Sequence, residues 1–178
     1  DIVVVKLKPI KQYLREYYLI PQDVPCYQET DLIQAIQYLQ KFAVSLYSPL
    51  VICLGVGTNL GDHAGVSVFA RYLDLVMVRK SRAAVTCTGN EGNAAHHYHG
   101  ELTRQQPSQN VEIRVGGEMG GFVMDFWGGV PYIYTVTIRS PGGESIQWIN
   151  PQLRKPQEFT FIFERTRIIV CLLYTSPS

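Results

Sequence analysis

Leu50-Val51-Ile52-Cys53-Leu54-Gly55-Val56-Gly57 sets the fold of this chain. Its first five residues are apolar at every position. A strand without alternation is one buried on both faces, as in a parallel sheet covered by helices. The flanking sequence agrees. Upstream, Leu32, Ile36, Leu39, Ala43 and Leu46 recur every three or four residues, which predicts a helix over residues 31–46. Asp31, with Gln34 three residues on, reads as a capping box at its start, and Pro49 ends it. Downstream, Phe69, Tyr72, Leu73 and Val76 form the stripe of a second helix over about 66–79, and residues 83–87 are a further short apolar strand. Residues 2–7 are β-branched and read as a first strand, followed by a short helix over 11–18. Residues 1–105 therefore predict an α/β domain with a parallel βαβαβ core and right-handed crossovers.

The helical period ends near Pro107. Val111-Glu112-Ile113-Arg114-Val115 alternates strictly, and five more strand-like runs follow at 122–126, 132–138, 145–149, 159–163 and 168–172. Turn signals such as Pro141-Gly142-Gly143 separate them, which predicts an all-β sandwich over 106–172. Residues 173–178 read as an unstructured or artefactual tail. No Met opens the chain, so the native N-terminus is expected upstream of Asp1.

Composition narrows the function. Hydrophobic residues make up 46% and charged residues 17%, which excludes a disordered polyampholyte. A formal net charge of +1 supplies no field for nucleic acid or an anionic membrane. No apolar run approaches the ~20 residues of a membrane helix, and no signal peptide is evident. Cys26, Cys53, Cys87 and Cys171 are scattered without a C-x-x-C, which argues against a zinc ribbon or redox pair. Cys53 and Cys87 sit in apolar runs and are expected to be core residues.

Two loops follow the parallel strands, at the sheet edge where ligands bind in open α/β folds. The first runs from Gly55 through Val56, Gly57, Thr58, Asn59, Leu60, Gly61 and Asp62 to His63. Its G-x-G-x-x-x-G spacing departs from the dinucleotide fingerprint, and no Walker lysine is present, so a plain strand-to-helix turn outweighs phosphate binding.

The second loop is more specific. Ala83-Ala84-Val85-Thr86-Cys87-Thr88-Gly89-Asn90-Glu91-Gly92 resembles the strand and Gly-Asn-Glu-Gly loop of subtilisin-like serine proteases (subtilases, peptidase S8). The run from Val51 to Gly57 resembles the subtilase strand whose following segment lines the substrate cleft. The stretches 57–63 and 89–98 are similar to the clostridial Csp-like germination proteases, which carry an inserted β jelly-roll. The resemblance covers residues 2 to about 170. It implies an internal fragment of a bacterial serine endopeptidase, spore-associated or cytoplasmic, acting on a protein or peptide through a Ser-His-Asp triad without a cofactor. It also implies roles: Asn90 as oxyanion donor, Gly55, Val56 and Gly57 as the strand that pairs with substrate backbone, and Thr88 and Gly89 at the pocket for the residue before the cut. The sequence departs from the family in carrying no Gly-Thr-Ser nucleophile segment, no His-Gly-Thr-His and no strand-end Asp-Gly. The triad would then come from the remainder of the protease chain, and this fragment alone would be inactive. Thr86-Cys87-Thr88 also replaces the small residues usual before Gly-Asn.

Other candidates rank lower. His96, His97 and His99 could approach a metal, but in an extended segment only His97 and His99 share a face, and no metal set is evident. Adjacent Asp62 and His63 diverge, so a polar loop outweighs an acid–base pair. Tyr132, Tyr134 and Trp148 suit a strand core better than a sugar platform. A pseudoprotease, or a non-catalytic module with a carbohydrate- or protein-binding β-sandwich, remains the alternative.

Overall fold

The computed structural model describes residues 2–129, 131–149 and 155–171. The expected tail at 173–178 and the Trp148 side chain lie outside the described residues. The chain forms two compact units, Asp1–Phe126 and Trp127–Ser178.

The first unit is α/β. Helices α1 (Gln12–Tyr17) and α2 (Glu29–Ser45) precede strand β1 (Leu50–Leu54), helix α3 (Val68–Met77) and strand β2 (Arg82–Thr86). β1 and β2 pair in parallel, with Leu50 opposite Arg82 and Leu54 opposite Thr86. The core is where the helical stripes meet the sheet: Ile36 of α2, Ile52 of β1 and Val76 of α3 are the buried centre, ringed by Leu39, Leu54, Phe69, Leu73 and Met77. Gln40 of α2 donates to the Tyr72 hydroxyl of α3 at 3.1 Å, a polar tie between the two helices above that core.

Helix starts differ from the sequence expectation. α2 begins at Glu29, so Asp31 lies inside the first turn and makes no capping box; Glu29 and Asp31 instead place negative charge at the positive end of the helix dipole. The Glu29 carboxylate also accepts from the Phe69 N–H at 3.2 Å, satisfying a donor in the first turn of α3. α3 has its own cap: the Ser67 hydroxyl accepts from Ala70 N–H at 3.1 Å.

Three expectations are corrected in this unit. Residues 2–7 form no strand, with Ile2 and Val4 almost fully exposed. β-Branched residues favour a strand only where a neighbour supplies a ladder and a packed face, and here none pairs with them. β1 is buried on one face rather than two: Ile52 is buried while Val51 is 68% exposed. Both helices lie against the Ile52 side, so Cys53, which points the other way, and Cys87, just beyond β2, are exposed instead of core.

Past Pro107 the sandwich expectation is also corrected. Residues 111–115 and 122–126 form no strands, and Val111, Ile113 and Val115 stay exposed; alternation alone gives no sheet without a partner. Among the described residues the second unit holds two antiparallel hairpins, each its own two-stranded sheet: β3 (Val136–Arg139) with β4 (Ser145–Ile149), and β5 (Gln157–Phe161) with β6 (Thr166–Val170). No jelly-roll is formed among the described residues. Their turns cap each other: Glu164 accepts from Gly142 N–H at 2.7 Å, and Glu144 accepts from Phe163 N–H at 2.9 Å. No helix among the described residues is long and apolar enough to cross a membrane.

Candidate functional site

β1 and β2 run in parallel and end in step, so the chain leaves both at the same carboxyl edge. Cys87 N–H still reaches the Leu54 carbonyl at 3.4 Å, carrying the pairing one residue past β2. The two loops that follow are therefore neighbours by construction.

In the first loop, Gly55 and Gly57 are exposed, and a side chain at either would meet no atom within 4 Å beyond its chain neighbours. Val56 between them is exposed. Thr58 and Asp62 order the rest: the Thr58 hydroxyl accepts from Leu60 N–H at 3.1 Å, and the Asp62 carboxylate from Val66 N–H at 3.0 Å. Asp125 accepts from Gly61 N–H at 3.2 Å, bringing the irregular 107–126 segment to the same loop.

In the second loop, Thr88, Gly89 and Asn90 are all exposed. Gly89 has φ +82°, a conformation glycine adopts without strain and other residues rarely take. Asn90 makes no hydrogen bond within the described residues, so its side-chain amide is a free donor.

The loops are tied by side chains that sequence reasoning missed. Glu91 Oε2 accepts from Asn59 Nδ2 across 32 residues. His96 Nδ1 lies 3.0 Å from the same oxygen. A carboxylate only accepts, so His96 Nδ1 carries the proton and donates, and its 3.3 Å approach to Asn59 is a proximity rather than a second bond. The Asn59 amide, and next His96, hold the Glu91 carboxyl below the usual carboxylate range against the opposing effect of burial. Alongside, the His63 and His97 rings pack with centroids 4.5 Å apart.

These pairings settle where the lesser candidates go. His96 serves Glu91, His97 packs on His63, and His99 joins neither. Among the described residues no three His, Cys, Asp or Glu side chains gather as a metal site, and no serine hydroxyl bonds a histidine ring. Asp62 caps a turn while His63 turns to His97, so the two side chains diverge as their adjacency implies. Tyr132 is exposed and, with Tyr134, precedes β3 rather than lying on a strand. Two broad surface hollows, about 350 and 380 Å³, lie along α2 and beside Ser48 and Arg82, and no residue of either loop lines them.

No protein-family model matches the chain, and no curated protein does. Among solved structures it is similar to the CspB protease of Clostridium perfringens, at a TM-score of 0.72 and 25% identity over 85% of this chain. The match takes in 32% of that protease, so this chain spans about a third of its length. The fold of the matched region is thus subtilase-like.

Proposed function

We propose that this chain is a segment of a subtilisin-like serine endopeptidase of the clostridial Csp-like type. It supplies the oxyanion donor and the substrate-pairing strand, while the Ser-His-Asp triad comes from the rest of the polypeptide. The observation that carries the reading is the likeness to a clostridial protease over most of the chain, with the Gly55 and Asn90 loops at one sheet edge.

In that setting the triad serine attacks the scissile carbonyl of a bound peptide and the histidine takes the serine proton. Negative charge then gathers on the carbonyl oxygen. The Asn90 amide, neutral and unpaired, donates to that oxygen as the charge forms, and a donor of this kind lowers the barrier by about 2.7–4 kcal/mol. The open backbones at Gly55, Val56 and Gly57 pair with the extended substrate through N–H and C=O groups. Thr88 and Gly89 border the pocket for the residue before the cut. No cofactor takes part.

A fluorophosphonate probe tests this. It labels only an activated serine, so it should leave this chain unmodified and label one serine in the polypeptide that joins this segment to a Gly-Thr-Ser segment. Labelling of Ser67 or Ser140 in this chain, or none in the longer protein, contradicts the reading.

A further inference from the structure

We propose that Glu91 is a positioning residue for Asn90, locking the Asn90 loop to the Gly55 loop through Asn59 and His96. The inference begins from what Asn90 lacks. It is exposed and has no hydrogen bond of its own among the described residues, so nothing on Asn90 itself fixes where its amide points. Its direct neighbour Glu91 is the anchored residue. One oxygen, Oε2, takes the Asn59 amide from the first loop and the His96 ring from further along the second. The Glu91 carbonyl accepts from Ala94 N–H at 2.8 Å, closing a turn just beyond it. Gly89, at φ +82°, forms the hinge on the other side. Asn90 is thus held between the Gly89 hinge and a three-residue clamp at Glu91 that spans both loops.

The catalytic consequence rests on the oxyanion reading of Asn90. A donor stabilises developing charge only if it is in place beforehand, and a displacement of about 1 Å in a reacting constellation can lower a rate by about 10²-fold. The clamp itself does not rest on that reading, because it is a statement about two loops in this chain.

The test uses isotopically labelled chain and the side-chain N–H resonances of Asn90, with the Ile52 and Val76 methyl resonances as the check on the fold. Asn59→Ala and Glu91→Ala should each move the Asn90 side-chain resonances towards the values of a free asparagine. The double variant should go no further than Glu91→Ala alone, since that change already removes the ties to both Asn59 and His96. Glu91→Gln keeps an acceptor oxygen for Asn59 and should recover most of the parent signal, which a general loosening of the loop would not allow. If Glu91→Ala disturbs the core methyls, Asn59→Ala and Glu91→Gln still decide the matter. Unchanged Asn90 resonances in Asn59→Ala, with the core intact, overturn the proposal. In the triad-bearing protein Glu91→Ala should lower kcat between about 10- and 100-fold with KM nearly constant. The two readings fail separately. If the resonances move but neither Asn90→Ala nor Glu91→Ala changes kcat, the clamp stands and the oxyanion role falls. If Asn90→Ala lowers kcat while the resonances stay still, the clamp falls alone.

Discussion

Ile36→Ala should undo the seating of α2 on β1, and with it the edge that carries both loops. Ile36 is 1% exposed and lies at the centre of the cluster with Ile52 and Val76. The substitution deletes three carbons, worth about 2.4 kcal/mol at ~0.8 kcal/mol each. The cavity term raises the loss to between about 2.5 and 4 kcal/mol, because a centre ringed by Leu39, Phe69 and Leu73 collapses only in part. Domains of this size are held by roughly 0.05–0.15 kcal/mol per residue, so that loss is a large share of the total. Urea unfolding followed by helical circular dichroism reads it. At an m-value of about 1–3 kcal/mol/M the midpoint should fall by about 1–4 M with m unchanged. Val44→Ala is the control on the same helix: Val44 is 58% exposed, and its loss should stay within about 0.5 kcal/mol. Equal shifts for the two variants would refute the packing of α2 described here.

Ser67→Ala removes the α3 cap and should cost about 1 kcal/mol, seen as a lower unfolding midpoint. Gly89→Ala forces a side chain to φ +82° and should cost about 1 kcal/mol or more, read the same way. The Glu91 carboxyl should titrate below its ordinary value of 4.5, and Asn59→Ala should move its carbon-13 titration midpoint upward. Because the folded value is depressed, the stabilisation from this group is present above pH 4.5 and is lost as pH falls through the folded midpoint. A midpoint unaffected by Asn59→Ala would contradict the assigned bond.

What the sequence made legible was whatever a short window records. The 3.6-residue recurrence of Ile36, Leu39 and Ala43 gave α2, and the apolar run at Leu50 gave β1 with its parallel partner 32 residues on. The start of α3 was missed by two residues because a single hydroxyl, Ser67, sets it. Residues 2–7 and 111–115 have strand composition but no strand, since a ladder depends on a partner that local composition does not specify. At the candidate site, Gly89-Asn90-Glu91-Gly92 stood out by resemblance and its loop does share an edge with Gly55. The bond between Asn59 and Glu91 carries no periodicity or spacing signal, so only the fold reveals it.

The most direct measurement is kcat for Asn90→Ala in the polypeptide that carries this segment with the triad. An oxyanion donor acts only after attack, so kcat should fall about 10²–10³-fold while KM stays nearly constant. A kcat within about threefold of the parent, where loss of an oxyanion donor costs 10²-fold or more, would contradict the assignment of Asn90 and the protease account built on it.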